Sequence, residues 1–286
     1  MKEFDAQLYM LADAALTEDV GNGDHSTLCC IPADVKGKAV LKIKQGGILA
    51  GMDVVEKIFK YKRPDCNFMR HKNDGVEMKA GETAFEVETF VHIILQLERL
   101  VLNCMQRMSG IATLTGQYTK KLEGYKTKLL DTRKTTPNFR LLEKEAVRIG
   151  GGINHRFGLY DMIMLKDNHI DYCGGVEEAI SRAYEYVQLY QPHLKIELET
   201  RSMEDVEKAI AAGKGKVFRL MLDNFAPTQI IAALKLIDGE FETEASGGIN
   251  LDNIEQYAAT GVDYISVGAV IHQAKSLDLS LKAVVV

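Results

Sequence analysis

The sequence predicts an α/β protein in which a small α+β domain precedes a parallel (β/α) barrel. From residue 127 onward, six short apolar runs alternate with helix-length segments, which is typical of βα units around a parallel sheet. No G-x-G-x-x-G pattern opens the first unit, which favours a barrel over a dinucleotide-binding sheet. Before residue 115 the element types are mixed. We therefore predict one domain over 1–115 and a second over 116–286.

The predicted elements of the first domain are an amino-terminal helix, a loop and two strand regions. They are FDAQLYMLADAALTED, GNGDHST, GKAVLKIKQGGILAG and GETAFEVETF. A bridging helix over residues 92–110 follows, because apolar and polar residues separate at helical spacing. Its apolar face holds Ile93, Leu97, Leu100, Val101, Cys104, Met105 and Met108. Its polar face holds Gln96, Arg99, Asn103 and Gln106.

The barrel elements follow from the alternation after residue 127. The predicted strands are TKLLDT, MIMLKD, KIELET, VFRLMLDN, FETEAS and DYISVG. The predicted helices between them cover residues 138–149, 176–190, 202–212, 227–238 and 251–259.

Composition limits the function. The chain of 286 residues is 46% hydrophobic and 26% charged, which is enough apolar material for one or two cores. Its net charge of -5 argues against general nucleic-acid binding but leaves room for a local basic pocket. No segment resembles a signal peptide or a membrane span, so we expect a cytoplasmic protein. The five cysteines include no C-x-x-C pair and are expected to be reduced thiols.

Charged residues and glycines follow the predicted strands where each one ends. Parallel strands of a barrel place their carboxyl ends on one face, so these residues are predicted to surround one cavity. Early strands contribute cations, middle strands contribute carboxylates, and the last two contribute glycines whose amides can bind a phosphate. This order predicts a ligand with several acidic groups and a divalent metal. The residues are Arg133, Lys134, Lys166, Asp167, Asn168, Glu197, Glu199, Asp223, Asn224, Ser246, Gly247, Gly248 and Gly268.

The glycines and carboxylates also have structural interpretations. Ser246–Gly248 can form an ordinary turn, and either Glu199 or Asp223 can cap a helix. A helix and then SVGA follow the SGG segment, however, and phosphate sites commonly use the last two barrel loops. Two carboxylates on neighbouring strand ends favour contacts with a metal or a ribose hydroxyl.

The cations and histidines have structural alternatives as well. Arg156 can pair with Asp161, and Lys166 with Asp167, at the surface. Lys166 directly follows the apolar run MIML, where a strand leaves the core, and this position favours a functional role. Two histidines can equally be structural, namely His155 and His169.

Several segments resemble the quinolinate phosphoribosyltransferases, carboxylating enzymes of NAD synthesis. In chain order they are DTRKTTP, RLLEKEAVRIGGGINHRFGLYD, LKDNH, EASGGI and ISVGA. The resemblance covers residues 92–272 and extends more loosely to LTEDVGNGDHST and GGILAG. It implies an amino-terminal α/β sandwich followed by an incomplete barrel.

The resemblance also implies residue roles. Lys134, Lys166, Glu199 and Asp223 match catalytic positions, and Glu199 and Asp223 match the pair that holds ribose and, directly or through water, Mg2+. The substrate-binding positions are Arg99, Thr132, Arg133, Lys134, His155, Arg156, Lys166, Glu199, Asp223, Ser246, Gly247, Gly248, Val267, Gly268 and Ala269. Arginine forks suit the planar carboxylates of such a substrate.

The implied reaction joins quinolinate and phosphoribosyl pyrophosphate to give nicotinate mononucleotide, pyrophosphate and CO2. The family forms dimers or dimer-based hexamers, in which the residue that Arg99 matches enters the neighbouring subunit's site. The sequence departs from the pattern at Asn138, where glycine is common; Asn is the next most tolerant residue of a left-handed turn.

Two other functions fit the same fold. One is that of the molybdenum-transport-associated relatives, against which the LKDNH segment argues. The other is a non-catalytic binding protein for phosphorylated metabolites. Such a protein does not need the carboxylates of Glu199 and Asp223 to organise a metal.

Overall fold

The computed structural model describes residues 2–284, which fold as two compact units. The first unit combines residues up to 116, residues 135–151 and residues from 270 onward. The second unit combines residues 117–134 and 152–269. The predicted boundary after residue 115 lies next to the first passage between the units at residue 116, and two later segments, 135–151 and 270–284, return to the first unit.

The first unit holds a four-stranded sheet with the order β12-β1-β5-β3, and β2 pairs separately with β4. Its elements are α1 (Lys2–Val20), α2 (His25–Cys30), β1 (Lys36–Ile43), β2 (Gly47–Ile48), α3 (Met52–Lys62), β3 (Asn67–Arg70), β4 (Glu77–Met78), β5 (Thr83–Phe90), α4 (Val91–Lys121, which continues into the second unit), α5 (Arg140–Ile149), α11 (Ala269–His272) and β12 (Leu279–Val284).

Strand β12 explains why the last residues belong to the first unit. It pairs antiparallel with β1 from Lys38↔Val284 to Ile43↔Leu279, so the two strands share their backbone hydrogen bonds along six residue pairs. Pairing of this kind satisfies backbone groups that an edge strand leaves open. The short run LSLKAV carries no sequence signal for its distant partner, so this pairing was not predicted.

Two predictions for the first unit need revision. The segment GNGDHST was predicted as a loop, but α2 begins at His25 because the Asp24 carboxylate accepts from the Thr27 amide, as a helix N-cap does. The bridging helix is longer than predicted and runs over Val91–Lys121. Its predicted apolar face is confirmed at Leu97, Val101, Cys104, Met105 and Met108, which are buried.

The second unit holds one parallel sheet of six described strands, and all six predicted strands are present. The sheet order is β6-β11-β10-β9-β8-β7. Its elements are β6 (Lys128–Leu130), β7 (Ile163–Leu165), α6 (Asp167–Cys173), α7 (Val176–Tyr190), β8 (Ile196–Thr200), α8 (Met203–Gly213), β9 (Arg219–Asp223), α9 (Pro227–Ile237), β10 (Glu242–Ser246), α10 (Ile254–Ala258) and β11 (Tyr264–Ser266).

The strands are arranged around the barrel in chain order, with one gap between β6 and β7. Each strand from β7 to β11 lies beside the next in the chain, and β11 pairs with β6, but β6 and β7 do not pair within the described sheet. Ile153 instead forms an isolated parallel bridge with Leu130 of β6. The arrangement confirms the incomplete (β/α) barrel. Its helices α7, α8 and α9 match the predicted ranges, α10 is shorter, and α6 was not predicted.

The alternation of side chains gives the strands of the barrel a polar interior face. Two threonines lie on the face of the sheet opposite to this interior face. The Thr243 hydroxyl donates to the Asp263 carboxylate, and the Thr200 hydroxyl donates to the Met221 carbonyl. Because strand residues alternate between two faces, the remaining polar residues of β8, β9 and β10 point together to the other side. They are Glu197, Glu199, Arg219, Asp223, Glu242, Glu244 and Ser246.

Helix α5 is preceded by a turn that uses Asn138 in the left-handed region. The Phe139 amide donates to the Thr136 carbonyl at 3.1 Å, and Asn138 has φ 60° behind Pro137. A proline at the second position and a left-handed residue at the third are the requirements of a type II turn. Asn138 thus adopts the left-handed conformation that asparagine was expected to tolerate.

We expect Asn138→Ala to lower the free energy of unfolding by about 1 kcal/mol, since the short polar side chain of asparagine makes positive φ more favourable than it is for alanine. Asn138→Gly is expected to preserve it within about 0.5 kcal/mol. Denaturant unfolding of both variants measures the difference. Asn22→Ala, at an exposed residue outside the left-handed region, is the matched control. Equal stability of the alanine and glycine variants at position 138 would contradict the expectation.

The described helices include none that is long and apolar enough to cross a lipid bilayer. All five cysteines lie in the described part of the chain and are free thiols.

Candidate active site

The carboxyl end of β7 brings Lys166 to Glu199 on the neighbouring strand. Lys166 Nζ donates to Glu199 Oε2 at 2.8 Å. Glu199 is buried and lies within β8, so it does not cap a helix; Ser202 caps the helix that follows. Lys166 keeps 44% of its side chain exposed, and its partner is Glu199 rather than the adjacent Asp167. A cation and a carboxylate therefore meet at the strand ends, as the sequence predicted.

The ends of β9 and β10 are locked to each other. The Ser246 hydroxyl donates to Asp223 Oδ1, and the Asn224 side chain donates to Asp223 Oδ2 at 2.7 Å. The Asn224 amide donates to the Ser246 carbonyl. A β-carbon at Gly247, whose φ is +93°, would lie 2.1 Å from Asn224 Oδ1. Glycine is therefore required at 247 by a close approach, and Asp223 is oriented by two neutral donors.

Gly248 has a different environment from Gly247. Its φ is +64°, and a β-carbon there would meet nothing within 4 Å. This exposed glycine is the second residue after β10, and Gly268 and Ala269 follow β11 after the buried Val267. The two loops are neighbours because β10 and β11 pair. Amides of successive residues in such loops are suited to bind phosphate oxygens.

Two arginines from different segments lie close together. Burial, followed by the positive charge of Arg133, lowers the pKa of Arg156 from its ordinary value, although Glu197 and Asp161 oppose this. Arg156 Nη1 also donates to the Met162 carbonyl at 3.2 Å. Neighbouring guanidinium groups destabilise each other until an anion lies between them. The pair therefore has the positive charge that a carboxylate site requires.

The other predicted residues after β6 are Thr132 and Lys134, the chain neighbours of Arg133. Thr132 and Arg133 are half-buried and Lys134 is exposed. The Lys134 amide donates to the Thr132 hydroxyl at 3.1 Å, which fixes the turn between them. The surface pairing of Arg156 with Asp161 is not used as an ion pair, since the Asp161 carboxylate accepts from the amides of Phe157 and Gly158.

Asp131 joins the two cationic segments, and the sequence analysis did not identify it. It is fully buried at the end of β6. Its Oδ1 accepts from the His155 amide at 2.8 Å, and its Oδ2 accepts from the Asn154 side chain at 2.7 Å. The segment that carries Arg133 is thereby tied to the segment that carries Arg156. The available signal was an acidic residue directly after the apolar run KLL.

A buried charged cluster fills the barrel interior below these residues. Its members are His155, Glu197, Arg219 and Glu244, and we call it the interior cluster. His155 Nε2 lies 3.0 Å from Glu197 Oε2 and 3.4 Å from Glu244 Oε2. Arg219 Nη1 lies 3.1 Å from Glu244 Oε2. His155 was predicted among the pocket cations, but only 5% of its side chain is exposed.

Protonation within the interior cluster follows from burial and mutual charge. Burial and the charge of Glu244 raise the pKa of Glu197 to about 7. Burial disfavours a charged His155, whereas the contacts with both carboxylates favour it. Because Nδ1 accepts from the Arg156 amide, the ring proton lies on Nε2, toward the carboxylates. Glu197 was predicted at a strand end; it lies one side-chain layer deeper, because Glu199 is the outer member of the pair on β8.

A second buried carboxylate, Glu143 of α5, fixes the segment that follows Lys134. Glu143 accepts from the Thr136 amide at 2.8 Å, from the Thr136 hydroxyl at 3.0 Å and from Arg107 Nε at 2.9 Å. Arg107 also donates to the carbonyls of Ile271 and Ala274. Glu143 and Arg107 were missed, since a charged residue on an amphipathic helix normally predicts a solvated face.

Arg99 is the one predicted site residue that belongs to the first unit. It lies on α4 and is exposed, as is Asn103 one turn further along the same face. All the other predicted site residues belong to the second unit, and most of them lie at or just after the carboxyl ends of its strands.

Comparison with known protein families assigns the whole of this architecture. Residues 24–109 match the family model for the quinolinate phosphoribosyl transferase N-terminal domain, and residues 111–282 match that for the C-terminal domain. The chain belongs to the quinolinate phosphoribosyltransferase family. The two matches meet at residue 110, within α4.

Individual members of this family are similar over nearly the whole chain. A quinolinate phosphoribosyltransferase [decarboxylating] 2b, mitochondrial, of Nicotiana tabacum is 41% identical over 94% of this chain and 80% of its own. A probable nicotinate-nucleotide pyrophosphorylase [carboxylating] of Bacillus subtilis is 41% identical over 96% and 93%. The crystal structure of NadC from Streptococcus pyogenes superposes with a TM-score of 0.89 and 41% identity, over 96% of this chain and 95% of that one.

Proposed function

We propose that the chain transfers the phosphoribosyl group of phosphoribosyl pyrophosphate to quinolinate, releasing pyrophosphate and CO2 and forming nicotinate mononucleotide. Membership of the quinolinate phosphoribosyltransferase family supports this reaction. The observation that carries it at the site is the arrangement of cations, carboxylates and glycine loops around one end of the barrel. The arginine pair of Arg133 and Arg156 suits a dicarboxylate, and the loops after β10 and β11 suit a phosphate.

The carboxylates of Glu199 and Asp223 fit a magnesium site. Both are oxygen donors on neighbouring strands, and Mg2+ commonly uses one or two protein carboxylates together with substrate phosphates and water. Ser246 and Asn224 orient Asp223, so its oxygens are fixed before a metal binds. When bound, Mg2+ would offset the charge of the departing pyrophosphate. A non-catalytic binding protein for phosphorylated metabolites would not need these carboxylates to organise a metal.

The protein side chains contribute position and charge rather than a covalent nucleophile. The pyridine nitrogen of quinolinate attacks the anomeric carbon as pyrophosphate leaves, and carboxylates near the ribose offset positive charge there. The new positive charge on nitrogen makes the ring an electron sink, so the adjacent carboxylate leaves as CO2. We assign Lys134 and Lys166 to stabilise charge in these steps. Glu199 holds the Lys166 ammonium in place.

We further propose a homo-oligomer in which Arg99 completes the site of a neighbouring subunit. Its exposure on the polar face of α4, in the unit that holds no other predicted site residue, supports this assignment. A two-fold dimer makes such an exchange reciprocal. We also propose a cytoplasmic location, a compartment that keeps thiols reduced, in agreement with five free cysteines. The plant relatives have names that place them in mitochondria or chloroplasts.

The direct test is to incubate the purified protein with quinolinate, phosphoribosyl pyrophosphate and Mg2+ and to measure CO2 and nicotinate mononucleotide. Equimolar amounts of the two products are expected. A parallel reaction with a chelator is expected to yield neither, and activity should return when Mg2+ is restored. Formation of neither product with Mg2+ present, by a folded protein, would reject the proposed function. Full activity in the chelator would reject the metal site alone.

We expect nicotinate to be used at least about 10²-fold less efficiently than quinolinate, measured as kcat/KM. Nicotinate has one carboxylate, so one of the two carboxylate contacts proposed for Arg133 and Arg156 would be lost. The measurement is a comparison of both acids at fixed phosphoribosyl pyrophosphate. Benzoate, which lacks the ring nitrogen, is the control for simple carboxylate inhibition. Equal turnover of both acids would contradict the arginine-pair assignment.

A further inference from the structure

His155 uses both of its ring nitrogens within the chain. Nε2 faces the carboxylates of Glu197 and Glu244 at 3.0 and 3.4 Å. Nδ1 accepts from the Arg156 amide at 2.7 Å. An imidazole has only these two hydrogen-bonding atoms, so the ring offers no nitrogen to a substrate. Its burial leads to the same conclusion, since 5% of the side chain is exposed.

The carboxylates hold the ring from the barrel interior. Glu197 and Glu244 are fully buried on β8 and β10, and Arg219 compensates their charge from β9, with Nη1 3.1 Å from Glu244 and 4.0 Å from Glu197. Buried charges are tolerated when they are paired in this way. Neighbouring strands of a hydrogen-bonded sheet are rigid supports. The ring of His155 is therefore fixed by three strands.

The fixed ring in turn determines the position of Arg156. The Nδ1 contact orients the peptide between residues 155 and 156, and Asp131 holds the same segment through the His155 amide. The Arg156 guanidinium then reaches the Met162 carbonyl on one side and approaches Arg133 on the other. Two buried carboxylates and one histidine thus support Arg156, which is itself half-buried.

We propose that His155 is a positioning residue, held by Glu197 and Glu244, that acts on the reaction only by orienting Arg156 toward a carboxylate of quinolinate. The proposal rests on the proposed function and reassigns His155, which the sequence analysis placed in the substrate pocket. Glu197, Glu244 and Arg219 become supporting residues of the same arginine.

A bound metal is the competing explanation for the cluster. His155, Glu197 and Glu244 offer one ligand atom each, all within 4.8 Å of one another. Arg219 argues against this, because it already supplies a positive charge to both carboxylates. A divalent ion beside that guanidinium would leave the buried group with excess positive charge.

The test is a double-mutant cycle between His155→Asn and Arg156→Ala, measured as kcat/KM for quinolinate. The asparagine is chosen because it is shorter and cannot bridge the Arg156 amide and the carboxylates at once. We expect a loss of about tenfold for the histidine variant, the order of one hydrogen bond. Arg156→Ala is expected to lose about 10²-fold. The double variant should lose no more than Arg156→Ala alone, because His155 then has nothing to position.

An additive loss in the double variant, about 10³-fold, would overturn the proposal, since His155 would then act on the substrate independently of Arg156. The loss in His155→Asn should appear in KM for quinolinate and leave KM for phosphoribosyl pyrophosphate unchanged. Equal increases in both would also count against it. The wild-type protein is assayed first, so that failure of the proposed function is recognised separately.

A milder variant keeps the test decisive if His155→Asn does not fold. Ser266→Ala removes a hydroxyl that donates to Glu244 without touching His155, and it should raise KM for quinolinate slightly, by about twofold to threefold. In the Arg156→Ala background it should have no effect on kcat/KM. Arg182→Ala, which removes an exposed pair with Glu178, is the control and should change neither quantity. One equivalent of tightly bound transition metal in the purified protein would overturn the proposal in favour of the metal site.

Discussion

Lys166→Ala is expected to lower kcat/KM by about two orders of magnitude or more while the fold remains intact. Lys166 lies at the end of β7 with its ammonium 2.8 Å from the buried Glu199, at the edge of the site. A charge-assisted contact to a developing anion in such a site is worth about 2.7 to 4 kcal/mol. The variant also leaves Glu199 without its cation, so metal and ribose binding should suffer together.

The matched control is Lys208→Ala. Lys208 also pairs with a glutamate, Glu204, at 2.7 Å, but on an exposed helix surface where ion pairs contribute little. Its kcat/KM is expected to stay within about twofold of the wild-type value. Lys134→Ala should behave like Lys166→Ala. Near-normal kinetics in both site variants, with folding verified by circular dichroism, would mean that these lysines are surface charges and that the site lies elsewhere.

Mixing inactive Arg99→Ala and Lys166→Ala proteins is expected to restore roughly a quarter of wild-type activity. If Arg99 acts in a neighbouring subunit, one site of a mixed dimer receives both mutations and the other receives neither. Random reassociation makes half of the dimers mixed, and each of these has one intact site of two. The experiment requires dissociation, mixing and reassociation, followed by the standard assay.

Recovery depends on where Arg99 acts, so the result is decisive in both directions. If Arg99 serves its own chain, every site in the mixture lacks one of the two residues and activity stays at the level of the single variants. Mixed dimers must therefore be demonstrated, for example with tags of different mass on the two proteins. Absence of recovery in a sample that contains mixed dimers would reject the shared site. A mixture of Lys208→Ala and Lys166→Ala is the reference for activity lost during dissociation and reassociation. Half of its sites are intact wherever Arg99 acts.

The barrel was predictable because its signals are local. Each strand is a short apolar run, each helix has the right length, and the charged residues at the strand ends are next to the runs in sequence. Lys166, Glu199 and Asp223 could be placed on one face because parallel strands end on one face. Sequence spacing favours a pair between Lys166 and the adjacent Asp167. Only the distance between Lys166 Nζ and Glu199 Oε2 in the structure shows that Glu199 is the partner.

The supporting residues were not predictable for a physical reason. Asp131, Glu143, Glu197 and Glu244 are completely buried acids, and burial of an acid depends on partners that are distant in sequence. Glu197 needs His155 from the opening of the barrel, and Glu143 needs Arg107 from another helix. One signal was present but was not used. The spacing of two residues between Glu197 and Glu199, repeated between Glu244 and Ser246, already places each pair on one strand face.

The pairing of β12 with β1 has a consequence for how the chain is made. Strand β1 emerges from the ribosome early, whereas its partner is completed only when residue 284 has been synthesised. During translation of the roughly 240 residues between the end of β1 and the end of β12, the edge of β1 that β12 later covers is open to other strands, and the barrel has time to fold before the first sheet closes. Open strand edges promote association between chains. Nascent or truncated chains are therefore the form of this protein that most needs protection by a chaperone.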